Sequence, residues 1–260
     1  MPRWSTARLL GLTALLVVLI LDGVLFAHLP REIKASLFLP HAAATPRSTP
    51  TPAPTPASTP TPTPYRPVPI TAAYDNVGIG LDGTSSADFD GFGFSYSEQA
   101  LTAAQLGPGA AASSGGVRYV MPSIPPGHRD NIKASGQTIL APSLPGATLL
   151  GFLGAGSGGD ASGTVKITYT DGTTQTGTLA FSDWTLGGGT ESLQPGAVVL
   201  AASAYRDIDG SQDQTKTYVF ASVPIHLQTG KAIERVRLPN DVTGGTMHVF
   251  SIGTDKGSFS

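Results

Sequence analysis

The sequence predicts an all-β protein: a β-sandwich with one short helix, preceded by an N-terminal membrane or signal helix and a proline-rich linker. Two observations favour the β class. Only 13% of the 260 residues are charged, whereas 32 are glycine and 22 are proline, a composition that argues against helical bundles and coiled coils. Many short stretches in the second half of the chain alternate apolar and polar residues, the pattern of half-buried strands.

Cysteine and charge exclude several classes of function. Without cysteine the protein has no disulfide, catalytic thiol, cysteine-ligated zinc or lipid-modified cysteine. Residues 1–70 carry six basic and two acidic side chains, so the remainder, with 10 basic and 16 acidic ones, has a net charge of −6. Because an acidic domain repels phosphate backbones, we expect no nucleic-acid partner.

Residues 1–30 predict a short cytoplasmic tip and a signal-anchor helix. Arg3 and Arg8 precede an apolar run from Leu9 to Leu29, which is broken only by Asp22 and a few small residues. As a helix this run would rise about 31 Å, enough to cross a hydrocarbon core of ~30 Å. The basic flank predicts a single-pass protein of the cell membrane with its C-terminal domain extracellular.

A cleaved signal peptide is the alternative for the same segment. Its apolar region should span only ~7–15 residues and end at a small-x-small site. Leu9 to Leu21 fits that length, but the best small-residue site, Ala42 to Ala44, lies far downstream. Cleavage would give a secreted protein, so both interpretations place the rest of the chain outside the membrane.

Residues 31–69 predict a juxtamembrane segment and a Pro/Thr-rich linker. Ten prolines lie between Thr45 and Pro69, mostly in Thr-Pro and Ala-Pro steps. Proline fixes φ and has no amide donor, so this stretch cannot join a sheet. We expect a disordered or extended spacer, reaching roughly 75 Å as polyproline II.

Residues 70–260 predict the β-sandwich domain. In its clearest element, Thr164 to Phe181, side chains alternate on both sides of Asp171-Gly172, which is a strong hairpin signal. Ser97 is expected to cap one helix over Glu98 to Leu106, which Gly107-Pro108 would end. Six further strands are predicted at Val117–Met121, Thr148–Leu153, Val198–Tyr205, Thr217–Ser222, Ala232–Leu238 and Thr246–Ile252.

Motif searches point to no catalytic residue. Two segments, Gly78 to Gly83 and Gly154 to Gly159, match the dinucleotide pattern G-x-G-x-x-G. That site needs a helix directly after the glycines, and none is predicted there, so both segments are interpreted as turns. The five histidines lack metal-type spacing, and His248 is expected at the sheet surface or in the core.

Carboxylates predict a structural Ca²⁺ site near the start of the domain. Asp75, Asn76, Asp82, Asp88 and Asp90 crowd one glycine-rich stretch, and calcium binds such oxygen donors. The alternative is that these side chains bond their own backbone in Asx turns.

A second acidic group surrounds Gly210. Asp207, Asp209 and Asp213 begin like a calcium loop but lack the later glycine and the closing glutamate of an EF-hand. We therefore interpret them as a solvated hairpin tip.

Trp184 predicts a sugar-binding site. It lies just past a strand beside Asp183, and an exposed tryptophan next to polar groups can stack on a sugar while the polar groups bond its hydroxyls. Tyr205 and Arg206, at another strand end, could complete such a site. The alternative is that Trp184 closes the end of the sandwich core.

Six segments taken in order form a recognisable set. They are Asp75–Ile79, Asp88–Ser97, Asp130–Ile139, Gly163–Gly172, Phe181–Thr185 and Met247–Phe250. Together, over about Tyr74 to Ile252, they resemble the galactose-binding-like β-sandwich accessory domains appended to secreted bacterial glycosidases, notably exo-acting α-mannosidases. The resemblance implies a jelly roll, a structural calcium ion and carbohydrate contact. It does not imply catalysis, because in those enzymes a separate module, not found in this sequence, carries the chemistry.

The function predicted from the sequence is that of a membrane-tethered extracellular binding module, non-catalytic, with a glycan or another cell-envelope component as its partner. A structural or protein-interaction domain of the cell envelope, without a sugar site, is the first alternative. A small glycoside hydrolase using scattered acids is the second.

Overall fold

A computed structural model of the protein describes residues 67–259. The predicted signal-anchor helix and nearly all of the predicted linker lie outside these residues. Residues 67–259 belong to one compact unit. Within them, no helix combines the length and the apolar character needed to cross a membrane.

Strands dominate the described residues, which confirms the predicted all-β class. The helices are α1 (Ile70–Ala73), α2 (Glu98–Ala103) and α3 (Leu186–Gly189). The strands are β1 (Ile79–Gly80), β2 (Phe94–Ser97), β3 (Ala111–Ser114), β4 (Val117–Val120), β5 (Ile132–Lys133), β6 (Thr138–Leu140), β7 (Leu149–Tyr169), β8 (Thr174–Phe181), β9 (Val198–Ser203), β10 (Arg206–Ile208), β11 (Ser211–Asp213), β12 (Thr217–Ala221), β13 (Ile225–His226), β14 (Ile233–Arg237) and β15 (Thr243–Thr254). The six further predicted strands are all present, one of them as the beginning of β7.

The strands form two sheets. The smaller sheet has the order β1-β2-β10-β11, in which only β1 and β2 are parallel. The larger sheet has eleven strands. Six of them follow the path β3-β4-β15-β7-β12-β9, and the other five, β5, β6, β8, β13 and β14, pair beside that path. The long strand β7 is its centre, because it pairs with β8, β12, β13, β14 and β15.

The predicted hairpin at Asp171-Gly172 is confirmed. Strands β7 and β8 pair antiparallel from Ala161 opposite Phe181 to Thr168 opposite Thr174. The Asp171 carboxylate accepts a hydrogen bond from the amide of Thr173 at 2.9 Å, and Gly172 has a φ of +81°, as the tight turn requires.

The second glycine-rich motif was wrongly predicted to be a turn. Gly154 to Gly159 lies inside β7, where it continues the strand predicted at Thr148–Leu153 into the hairpin. At Gly154 glycine is needed because the neighbouring strands β15 and β8 come very close to its Cα atom. A Cβ atom on Gly154 would meet the carbonyl oxygen of His248 and lie 2.7 Å from Cε2 of Phe181.

The predicted helix is confirmed as α2, although it is shorter than expected. The Ser97 hydroxyl caps it by accepting a hydrogen bond from the amide of Ala100 at 3.0 Å. The helix ends at Ala103, and Gln105 then takes a φ of +64°. The prediction of a single helix was wrong, because α1 and α3 add one short turn each.

An aromatic cluster forms the part of the core that lies against the smaller sheet. Phe89 is its centre, with ring centroids 4.8 Å from Tyr96, 4.9 Å from Trp184 and 6.0 Å from Phe250. All four side chains are buried. Tyr96 belongs to β2, so these contacts fasten the smaller sheet and the loop before it to the larger sheet.

Candidate functional site

The two acidic groups of the sequence meet at one open pocket of about 480 Å³. Three of its polar residues come from the first group and one from the second, and two serines of the loop after β1 complete the polar lining. These residues are Asp75, Asn76, Ser85, Ser86, Asp88 and Asp209. Their separation in sequence explains why the pocket could not be predicted.

Asp88 shapes the loop on one side of the pocket. Its Oδ1 accepts hydrogen bonds from the amides of Gly91 at 2.7 Å and Gly93 at 3.1 Å. Both glycines have positive φ, 85° and 86°, where a larger residue would be strained. Gly93 itself lines the pocket, so the loop 88–93 is a fixed part of its wall.

Phe92 points out of this loop into solvent. The Asp90 carboxylate accepts hydrogen bonds from the amides of Phe92 at 2.9 Å and Phe94 at 3.3 Å, which fixes the backbone on both sides of the ring. Phe92 is nevertheless 79% exposed, more than any other large hydrophobic side chain in residues 67–259. An aromatic ring held in solvent next to a polar pocket is a binding feature that the sequence analysis missed.

The pocket lining holds two further carboxylates, Asp75 and Asp209, whose hydrogen bonding differs. The carboxylate of Asp75 already has hydrogen-bond partners within the protein: it accepts from the amide of Lys133 at 2.8 Å and from Nε2 of Gln137 at 3.2 Å. Asp209 lies at the exposed hairpin tip with a φ of +47°. Within the described residues its carboxylate has no hydrogen bond or ion pair and is free to bind a ligand.

Asn76 adds an unused donor to the same lining. The residue is only 8% exposed, and its buried Nδ2 has no hydrogen-bond partner among the described residues. A buried amide without a partner costs free energy, so Asn76 is an unsatisfied polar group at the wall of the pocket.

The five predicted calcium ligands are not assembled around one point. Asp75, Asn76 and Asp88 line the pocket, whereas Asp82 and Asp90 do not. Across residues 67–259, no three His, Asp or Glu side chains lie close enough together to hold a metal ion. The hydrogen bonds of Asp88 and Asp90 are those of the alternative interpretation, in which acidic side chains close turns of their own loop.

Trp184 is not the exposed sugar platform that the sequence predicted. It is only 2% exposed, and its ring packs between Phe89 and Tyr96, with centroids 4.9 Å and 5.0 Å away. Asp183 is buried as well, and its carboxylate accepts hydrogen bonds from the amides of Thr185 and Gly159. The alternative fits this placement: Trp184 fills the core beneath the smaller sheet.

Tyr205 and Arg206 do not form a sugar site with Trp184, although the guanidinium carbon of Arg206 lies 5.4 Å from the centroid of that buried ring. The guanidinium carbon of Arg206 lies 3.6 Å from the ring centroid of Phe94, and its Nε is 2.6 Å from Asp213 Oδ2. Tyr205 turns away and donates a 2.6 Å hydrogen bond to Asp82. Both side chains are thus committed to contacts within and beside the smaller sheet.

Asp82 and Asp207 form a pair of neighbouring carboxyl groups with opposite environments. Burial alone would raise the pKa of Asp82, but hydrogen bonds from Ser97, Tyr205 and Gln212 outweigh it and lower that pKa. Burial and the adjacent Asp82 charge raise the pKa of Asp207 to about 6. The prediction that Asp207 is solvated was therefore wrong, since it is 2% exposed, whereas Asp209 is exposed as expected.

A buried hydrogen-bond chain runs through His248, which confirms the prediction that this residue could lie in the core. Asn131 donates from Nδ2 to Asp130 at 2.7 Å, so its Oδ1 accepts from His248 Nδ1 at 2.8 Å. His248 Nε2 is then left to accept from the Ser157 hydroxyl at 3.1 Å.

A serine next to a histidine resembles a nucleophile and its base. Burial, however, lowers the pKa of His248 to about 3, so this imidazole is a weak base, and Ser157 is only 4% exposed. No sequence signal joins these residues, because 91 positions separate the serine from the histidine.

Comparison with known protein families gives a match over the described domain. The family model of AziU2-like β-sandwich domains matches residues 64–257, about three-quarters of the chain. No curated protein matches the sequence. The match agrees with a β-sandwich and does not extend to the resemblance to glycosidase accessory domains. The chain belongs to the family of AziU2-like β-sandwich domains.

Proposed function

We propose that this β-sandwich is a non-catalytic binding module whose ligand is a glycan or a similar polyhydroxylated component of the cell envelope. The ligand would occupy the pocket between Asp75, Asp88 and Asp209 and would extend over the ring of Phe92. The observation that carries the proposal is the 79% exposure of Phe92 on a loop beside this pocket, held by four hydrogen bonds from backbone amides to the carboxylates of Asp88 and Asp90.

The chemistry of the pocket suits hydroxyl groups. A sugar presents C–H bonds on one face, which an aromatic ring can cover, and hydroxyls around its edge, which carboxylates and amides can bond. Asp209 supplies an exposed acceptor in the pocket lining. The pocket is open and Phe92 supplies a single ring, so we expect weak binding of a single sugar unit or chain end.

Two observations support a binding role over a hydrolytic one. The Ser157 and His248 pair is buried and does not line the open pocket, and the low pKa of His248 makes it a poor general base. Within the pocket, Asp75 and Asp88 are already engaged by backbone amides. A glycosidase would instead need two carboxyl groups free to act on the scissile bond.

The location belongs to the same proposal. The apolar run from Leu9 to Leu29 behind Arg3 and Arg8 supports a membrane anchor, and the proline-rich stretch supports a spacer that carries the domain outward. A jelly-roll arrangement of the sandwich is also proposed, on the resemblance of the ordered segments.

A protein-interaction role is the second candidate, and one surface favours it. A groove of about 360 Å³ is lined by Pro195, Ala197, Val223 and Pro224. Val223 is 51% exposed, and nearby in sequence Val198 is 45% exposed. Neighbouring apolar side chains left in solvent often mark a protein contact.

A glycan array probed with the full chain separates the two candidates. Because residues 9–29 are apolar, we expect the full chain to need a detergent in solution. That detergent should lack a sugar headgroup, since a glycoside detergent would compete with the glycans for the pocket. Phe92→Ala tests the pocket, and Val198→Ala, another exposed apolar residue, is the matched control. We expect retention on the array to be lost with Phe92→Ala and kept with Val198→Ala. Retention unchanged by Phe92→Ala would contradict the site, and an array with no hit would favour the protein-interaction role.

A further inference from the structure

The proposed binding pocket carries more negative charge than a neutral sugar would need. Three of the residues that line it are acidic, Asp75, Asp88 and Asp209, and no lysine, arginine or histidine is among the lining residues. All three acids are exposed. The four ion pairs within residues 67–259 include none of them. The pocket therefore presents negative charge to solvent, and no side chain of its own lining balances it.

Gly93 is the point at which two of these acids, from separate parts of the chain, come together. Its amide donates a hydrogen bond to Asp88 Oδ1 at 3.1 Å, and Asp209 Oδ1 lies 3.9 Å from the position that a Cβ atom on Gly93 would take. Asp88 belongs to the loop before β2, whereas Asp209 belongs to the tip of the hairpin of β10 and β11. Because like charges repel, carboxylates gathered at one pocket favour a positively charged ligand.

The pocket has features of a binding site besides its charge. It is an open space of about 480 Å³, and the ring of Phe92 stands beside it 79% exposed. In its wall Asn76 is 8% exposed, and the Nδ2 of this residue has no hydrogen-bond partner among the described residues. Such an unsatisfied buried amide is uncommon in folded proteins. An aromatic ring next to carboxylates suits an ammonium group, because the face of the ring attracts cations.

The spacing of the acids does not suit a metal ion. Within residues 67–259 no three His, Asp or Glu side chains lie close enough together to hold one. The carboxylates of Asp75 and Asp88 also accept hydrogen bonds from the backbone amides of Lys133 and Gly93. Acidic groups that are spread around a pocket and partly hydrogen-bonded suit a larger organic cation, which charge and contact with a ring can hold together.

We infer that the glycan bound at this pocket carries a protonated amine, as an amino sugar without an N-acetyl group does; the inference rests on the proposed function. The ammonium group pairs with the carboxylates of Asp88 and Asp209, while the ring of Phe92 covers the C–H face of the sugar. N-acetylation turns the amine into a neutral amide and removes the ion pairs. Uronic acids and other anionic sugars are repelled by the same carboxylates.

Isothermal titration of the full chain with two matched tetrasaccharides tests the inference. One is β-1,4-linked glucosamine with free amines, and the other is the same tetramer with every amine acetylated. At low salt we expect the free-amine tetramer to bind at least about fivefold more tightly, the gain that a favourable exposed ion pair provides. Raising the ionic strength should remove most of this difference, because salt screens exposed charges.

Asp209→Asn tests where the preference for the amine comes from. Asparagine suits the φ of +47° at this position, so the variant should fold. We expect the ratio of the two affinities to fall to about twofold or less in this variant, because it removes one negative charge from the pocket. The control Glu191→Gln removes an exposed negative charge outside the pocket lining and should keep the wild-type ratio.

Three results would overturn the inference. Equal affinity of the wild type for the two tetrasaccharides, or a ratio that Asp209→Asn leaves unchanged, would do so while the proposed function stands. Binding of tetra-lysine as tightly as the free-amine sugar would also do so, because charge alone would then select the ligand. If neither tetrasaccharide binds, the inference fails as well, and the array comparison of Phe92→Ala with the wild type decides the proposed function separately.

Discussion

The ring of Phe89 lies on the imidazole of His248, with centroids 4.0 Å apart and planes 32° from parallel. Phe89 is 1% exposed and belongs to the same loop as Phe92, which is 79% exposed. One phenylalanine therefore anchors the loop in the core while the other, three residues later, faces solvent. We therefore expect Phe89 to contribute to the stability of the fold and Phe92 to contribute to binding.

Replacing Phe89 by alanine should lower the free energy of unfolding by about 3–5 kcal/mol, because it leaves a cavity among Tyr96, Trp184 and Phe250. Phe92→Ala truncates the same type of side chain at an exposed position and should change the free energy of unfolding by less than ~0.5 kcal/mol. Urea unfolding of both variants measures the difference. Equal losses would contradict the assignment of one ring to the core and the other to the surface.

Fluorescence checks the burial of Trp184. The chain has two tryptophans, so Trp4→Phe isolates the signal of the domain. We expect emission at short wavelength and weak quenching by iodide, because Trp184 is 2% exposed. Strong quenching and long-wavelength emission in the folded protein would restore the exposed sugar platform predicted from the sequence.

His248 should make the stability depend on pH. Its pKa is about 3 in the folded protein against 6.5 for an ordinary histidine, so the unfolded chain binds a proton that the folded chain does not. The stabilisation is complete above pH 6.5 and is lost as pH falls toward 3, by up to ~1.4 kcal/mol per pH unit. His248→Gln lacks this titration.

The comparison of His248→Gln with the wild type isolates the effect from Asp130, whose pKa burial raises to about 6 and whose contribution has the opposite sign. The difference in unfolding free energy between the two proteins should shrink as the buffer is taken from pH 6.5 toward pH 3. Parallel pH profiles would show that His248 is not buried in its neutral form.

A side chain at Gly154 should destabilise the fold strongly. A Cβ atom there would meet the backbone of His248 and the ring of Phe181, so we expect Gly154→Ala to cost about 3 kcal/mol through overpacking. Gly158 has a φ of +71° but open space around it, and Gly158→Ala should cost only about 1 kcal/mol. Chemical denaturation of both variants ranks the two costs, and the reverse order would mean that β15 does not press on β7 at Gly154.

Local patterns predicted the elements that depend on near neighbours in sequence. The β7–β8 hairpin followed from alternation around Asp171-Gly172, and the start of α2 followed from the capping side chain of Ser97. The ends were less certain, because α2 stops where Gln105 enters a left-handed conformation that no local motif announces.

Features that depend on contacts between residues far apart in the sequence could not be predicted from it. Gly154 to Gly159 has the composition of a turn, yet it forms strand because it pairs with β15, and Gly154 is glycine because the backbone of His248 and the ring of Phe181 leave no room for a Cβ atom. The burial of Trp184 and Asp207 is set by partners far away along the chain. The candidate pocket could be anticipated only as separate acidic stretches, since Asp88 and Asp209 are brought together by the fold.

The dissociation constant of the strongest glycan hit for the full chain and its Phe92 variants tests the central claim most directly. Isothermal titration should show affinity reduced about tenfold or more, ~1.4 kcal/mol, in Phe92→Ala, and near-wild-type affinity in Phe92→Tyr, which keeps an aromatic face. Equal affinity for Phe92→Ala and the wild type would mean that ligand binds elsewhere on the domain.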